Sequence, residues 1–85
     1  MKNNPEKISG WWIRGRCSYE LGKYQDAIND FTKTLTLQTT GNDNVYYYRG
    51  LAHEALGNSE EACADYNAAN AGGNSDAAAK VANCD

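Results

Sequence analysis

The chain matches itself when displaced by 35 residues. Arg14-Gly15 falls on Arg49-Gly50, Leu21-Gly22 on Leu56-Gly57, and Trp11-Trp12 on Tyr46-Tyr47. Ala27 falls on Ala62, Asp30 on Asp65, and Phe31 on Tyr66. The coincident residues are mostly glycines, alanines and aromatics, the types that set close approach and packing. A period of this length marks a repeat array, in which each unit leaves an apolar face for its neighbour to bury. With 85 residues, there is room for two units and a short remainder.

Each unit reads as two helices. Residues 8–21 place Ile8, Trp11, Trp12, Gly15 and Ser18/Tyr19 at spacings of three and four, the helical period, and Gly22 ends the pattern. Residues 24–37 resume it with Tyr24, Ala27, Ile28, Phe31, Leu35 and Leu37. Thr39-Thr40-Gly41-Asn42 is loop composition, and Asn42 or Asp43 is placed to cap the next helix, about 44–56. After Gly57-Asn58, Ser59 reads as an N-cap with Glu60 and Glu61 near the positive helix start, and that helix ends before Gly72-Gly73-Asn74. Asn4-Pro5 reads as a cap that starts the first helix near residue 5, and Ser75-Asp76 caps a last short helix. The expected fold is all-α, a helical repeat of the α-solenoid type in one domain over 1–85. Repeat one covers about 8–41, repeat two about 43–76, and a C-terminal capping helix about 76–83.

Gly15 and Gly50 fall in the middle of helices, where glycine costs ~1 kcal/mol relative to alanine. Each precedes a small residue, Ala27 or Ala62, by twelve positions. The pattern predicts a close crossing within each pair, glycine of one helix against the methyl of the other.

Composition narrows the function. Hydrophobic residues at 41% and charged residues at 22% are near globular averages, which excludes a wholly disordered chain. No apolar run approaches the roughly 18 residues of a membrane span. Met1-Lys2-Asn3-Asn4-Pro5 holds no stretch long enough for a signal peptide. The cytoplasm is the default compartment, with a cleaved leader or a longer parent protein left open. A net charge of −3 argues against nucleic acid as a partner. The charge is uneven, +2 over residues 1–42 and −5 over 43–85; it reads as solvated surface, with head-to-tail attraction as the alternative. A domain this small buries only ~60% of the surface its unfolded chain exposes, so a partner or a second copy is expected to supplement the core.

These residues resemble the tetratricopeptide repeat family over residues 8 to about 74. The family's succession of aromatic, Leu-Gly, Tyr, Ala and aromatic appears here as Trp11, Arg14-Gly15, Ser18, Ala27, Phe31 and again as Tyr46, Arg49-Gly50, His53, Ala62, Tyr66. The stretch from Gly22 to Ile28 is like the family's turn between helices. Arg stands twice for the usual Leu, Ser18 and His53 stand for Tyr, and Thr39 and Asn74 stand for the closing Pro. The period of 35, against 34 in the family, fits one extra loop residue near Gly41-Asn42.

The resemblance implies a concave groove, lined by the first helix of each repeat, that binds peptides or helices. Its slots hold Trp12, Ile13, Arg16 and Tyr19 in repeat one and Asn44, Tyr47, Tyr48 and Leu51 in repeat two. Trp11 and Tyr46 are then the core aromatics between helices. Family members that grip a C-terminal carboxylate use Lys and Asn at these slots. Trp12, Arg16 and Tyr48 stand there instead, so an apolar or aromatic protein or peptide segment is the expected ligand. Tyr, Trp and Arg are the residue types that anchor interfaces. The rival expectation is an assembly unit that self-associates through exposed repeat ends, giving a homo-oligomer. Its N-terminal flank carries Arg14, Cys17 and Leu21 with no preceding repeat.

No enzymatic chemistry is legible. His53 is the only histidine, so no His-based metal pair exists, and it reads as a partly buried structural imidazole. Cys17, Cys63 and Cys84 are far apart in sequence and lack the close pairs that zinc sites favour. Gly72-Gly73 leads into no phosphate-binding Lys-Ser/Thr pair. Neither a cofactor nor a metal is expected. In the family's register, Cys84 repeats the slot of Arg14 and Arg49, facing the preceding second helix where Cys63 matches Ile28. Cys63 and Cys84 are therefore expected to be neighbours, joined by a disulfide in an oxidising compartment and buried as thiols in a reducing one.

Overall fold

Gly22 and Gly57 adopt the left-handed backbone, φ +80° and +83°, which closes each first helix and reverses the chain. In a computed structural model, residues 8–38 and 40–84 are described. They form α1 (Ile8–Glu20), α2 (Tyr24–Leu37), α3 (Asp43–Ala55), α4 (Ser59–Ala71) and α5 (Ser75–Val81). α1 packs chiefly on α2 and α3 on α4; α2 against α3 joins the pairs, and α5 lies on α4. The array is elongated, 45 × 26 × 17 Å, as expected when repeats stack along one direction. The expected start of helix one at Asn4-Pro5 lies outside the described residues.

The core is strung along the inner faces of α2 and α4. Ala27, Ile28, Phe31, Val45 and Ala52 form one buried cluster, with Trp12, Tyr19, Tyr24, Leu35 and Tyr48 packed against it. Ala62, Tyr66, Ala69 and Ala77 are buried farther along the array. The mid-helix glycines do mark close crossings, but the residue met is a ring. A Cβ on Gly15 would lie 2.7 Å from the Phe31 ring, and one on Gly50 would lie 2.7 Å from the Tyr66 ring. Ala62 contributes its backbone oxygen, 3.2 Å away, and not its methyl group. Trp11 and Tyr46, expected in the core, are only half-buried. The Arg14 guanidinium lies 4.9 Å from the Trp11 ring, and that of Arg49 lies 5.7 Å from Tyr46. The flat core slots are filled by Phe31 and Tyr66 instead.

The arginines that replace leucine beside each glycine have a partner. Arg14 donates to both oxygens of Asp30 at 2.9 and 2.8 Å, and Arg49 donates to both of Asp65 at the same distances. Asp30 and Asp65 are buried, and each would be a costly orphan without its guanidinium. Each hydrogen-bonded carboxylate holds its arginine above the ordinary guanidinium value. The two forks differ in cover. Arg49 reaches back to Thr32 Oγ1 of repeat one at 3.1 Å and is 21% exposed, whereas Arg14 is 65% exposed.

The starts of α4 and α5 differ from the expected caps by one residue. Asn74 caps α5, its Oδ1 accepting from the Ala77 amide at 2.9 Å, so Ser75 and Asp76 are already helical. Asn58 occupies the cap position of α4 ahead of Ser59, but its side chain donates to His53 Nδ1 instead. Asn42 stands at the start of α3 and pairs with Gln38 in both directions. Adjacent Asn, Ser and Asp are near-equal caps, so composition alone cannot rank them.

α5 is short, and three contacts hold it. Cys63 and Cys84 are joined, their Sγ atoms 2.04 Å and Cα atoms 5.8 Å apart. Lys80 reaches Glu54 Oε1 at 3.4 Å and lies 5.7 Å from the Tyr66 ring. Tyr66 donates its hydroxyl to the same Glu54 oxygen. That bond, aided by Lys80, lowers the Glu54 carboxyl, while burial first and Glu54 second raise the Tyr66 phenol. The register of the last helix also differs from expectation. α5 repeats α3 at a displacement of 32, since α4 is one residue shorter than α2 and the linker 72–74 is two residues shorter than 38–42. Cys84 thus matches Ala52 and, one repeat earlier, Cys17, rather than Arg14 and Arg49.

Three outcomes follow from this packing. Gly15→Leu and Gly50→Leu each lower the melting temperature, because overpacking costs about 1–3 kcal/mol and the gain in helix propensity is under ~1 kcal/mol. Stabilisation of either variant in thermal unfolding contradicts the crossings. Arg49→Ala costs about 3 kcal/mol by stranding a buried carboxylate, and Arg14→Ala, in the exposed fork, costs less; chemical denaturation of both variants ranks them. Thiol titration of unreduced, unfolded protein finds one free thiol per chain, that of Cys17; three would show the Cys63–Cys84 bond absent.

Candidate functional site

The first helices carry their aromatics on a shared face because of spacing. Trp12, Arg16 and Tyr19 lie four and three residues apart on α1, and Asn44, Tyr47, Tyr48 and Leu51 recur with the same period on α3. Tyr48 is the hub. Its ring centroid lies 5.6 Å from Trp12, 6.0 Å from Tyr19 and 5.7 Å from Tyr47, all edge-on. Such pairs add ~0.5–1.5 kcal/mol each beyond area burial. The Arg16 guanidinium lies 4.8 Å from the Tyr48 ring and 5.7 Å from Trp12. Tyr24 extends the group from Tyr19, and Tyr66 extends it from Tyr47.

The eight residues singled out by sequence thus divide. Trp12, Arg16, Tyr19, Tyr47 and Tyr48 form one contiguous group. Its rings are half-buried and also pack toward the core; Trp12 lies 5.6 Å from Phe31. Ile13 stands apart, 58% exposed, in a shallow hollow of about 480 Å³ lined by Trp12, Arg16, Cys17, Glu20 and Leu21. Asn44 accepts a 3.0 Å hydrogen bond from Asn74, tying α3 to the start of α5. Leu51 is half-buried outside the ring group.

The electrostatics of this face are simple. Burial, followed by its neighbours Tyr24 and Glu20, raises the Tyr19 phenol, so it stays a neutral donor over the physiological range. Arg16 supplies positive charge over an apolar floor. His53 lies away from the ring group, held by Asn58 and 4.0 Å from Asp65 Oδ2, which suits a packing role. Among the described residues, no group of three His, Cys, Asp or Glu is arranged to hold a metal ion. No helix among them is long and apolar enough to cross a membrane.

Sequence reasoning missed the Arg14–Asp30 and Arg49–Asp65 forks as pairs. The signal was present, because both arginines and both aspartates recur at the 35-residue displacement with partners sixteen positions apart. The Tyr66–Glu54–Lys80 set occurs once and left no repeated trace.

No curated protein matches the chain. A tetratricopeptide repeat profile matches residues 19–78, which include α2, α3 and α4 whole. Paired helices, the glycine–ring crossings and this match agree, and the chain belongs to the tetratricopeptide repeat family, whose domains are typically non-catalytic and mediate protein–protein interaction.

Proposed function

We propose that the α1–α3 face is the binding surface of a non-catalytic interaction module and takes a partner segment of apolar or aromatic character. The observation that carries this reading is the ring group centred on Tyr48, capped by Arg16 and left half-exposed. Packing fixes the rings before a ligand arrives, so little side-chain entropy is lost on binding. An exposed guanidinium over tyrosine adds a donor fork for a backbone carbonyl or carboxylate without displacing the rings. Asn44 and Leu51 form the rim of the site.

The test is a peptide-library selection against the wild-type chain, followed by affinity measurement on Tyr47→Ala and Arg16→Ala. These variants spare the Trp12–Phe31 packing, so folding is largely kept. Truncation of an interface aromatic costs about 2 kcal/mol or more, a loss of roughly thirtyfold in affinity. Selected peptides rich in apolar and aromatic residues, losing that affinity with Tyr47→Ala, fit the proposal. Equal binding by wild type and both variants removes the α1–α3 face as the site.

A further inference from the structure

The repeat allows each surface of α1 to be compared with its counterpart on α3. Val45 and Ala52 are buried at 4% and 0% exposure, and Tyr48 packs beside them against repeat one. Displaced by 35, these are Gly10, Cys17 and Ile13 on α1, and all three are exposed. Leu21, in the turn after α1, extends the stripe at 72% exposure. Spacings of three, four and four align these residues on one flank of the helix. The flank is a stacking face with nothing over it among the described residues, and the exposed Arg14 fork borders it.

We infer that this flank is a self-association surface on which α1 of a second copy lies antiparallel, related by a two-fold axis. Two observations favour this occupant. First, the surfaces that cover equivalent stripes are taken within the chain. α2 receives α3, and α4 receives α5, which the Cys63–Cys84 bond retains. A head-to-tail stack would need α5 to leave. Second, the flank is complementary to itself. Arg16 and Glu20 border the stripe on the same side, four residues apart and both exposed. In an antiparallel crossing centred near Ser18, Arg16 of each copy faces Glu20 of the other, and Ile13 approaches Leu21. The antiparallel arrangement makes both ion pairs at once, whereas a parallel two-fold puts the Arg16–Glu20 edges of the two copies on opposite sides of the seam and makes neither.

Arg16 borders both surfaces, whereas Tyr47 belongs to the ring face alone and Glu20 to the flank alone, so Tyr47→Ala and Glu20→Arg separate peptide binding from dimerisation. The experiment is sedimentation equilibrium from about 10 to 200 µM with charge-swap variants at exposed positions. Circular dichroism monitors helix content. The expected result is a monomer–dimer equilibrium that stops at twice the chain mass. Arg16→Glu and Glu20→Arg each weaken it about tenfold, and the double variant restores it. Tyr47→Ala leaves it unchanged. A short bis-maleimide then links Cys17 of one copy to Cys17 of the other in wild type and in the double variant, but not in Leu21→Asp. A monomer at all concentrations overturns the inference. So do assemblies that grow beyond the dimer, which point to head-to-tail stacking, and so does a double variant that stays as weak as the single ones.

Discussion

A glycine facing an aromatic ring, with an arginine beside it gripping a buried aspartate, recurs in both helix pairs, and the packing follows from it. Removing the side chain at Gly15 and Gly50 lets Phe31 and Tyr66 lie against helix backbone. An arginine suits the neighbouring position because its stem runs along the helix while its planar head reaches the next one. The fork then holds the two helices at one separation, at which the glycine–ring contact closes. Apolar contact provides the attraction and the ion pair provides the geometry.

The helices and their pairing were legible because glycine, alanine and ring positions coincide under one displacement, which marks α1 to α4, while cap composition near residue 75 marks α5. The caps were less legible. Asn42, Asn58 and Asn74 each precede another competent cap, and the choice depends on whether a partner such as Gln38 or His53 draws the asparagine away. The place of Cys84 in the register was obscured by element length, since a helix one residue shorter and a linker two residues shorter shift α5 by three against the 35-residue frame. Proximity to Cys63 survives that shift because α5 still covers the same side of α4. Of the eight residues picked for the groove, five meet at Tyr48. Ile13 lines a hollow with Cys17 and Leu21, a distinction that adjacent numbering on one helix does not carry.

The two ends of the array are unequal. At the C-terminal end, seven helical residues with small side chains are fastened by a disulfide, a lysine and an asparagine cap. At the N-terminal end, larger apolar side chains stand open beside an exposed fork. A helix as short as α5 has little stability of its own, so its attachments decide whether that end behaves as closed. The proposed binding face spans α1 and α3, and the proposed association flank lies on α1 alone.

Both tryptophans of the chain lie on α1. Trp11 has Arg14 and Lys33 about its ring, and Trp12 sits among aromatic neighbours. Their fluorescence is therefore a local probe of the first helix pair, with no tryptophan reporting from α3, α4 or α5. In a one-dimensional array, stability is a sum over units and their junctions, and the units need not melt together. Tryptophan emission and far-ultraviolet ellipticity followed in one titration thus measure the strength of the α2–α3 junction. Coincident curves mean that the junction transmits unfolding through the whole chain, and separated curves give the order in which the two ends open.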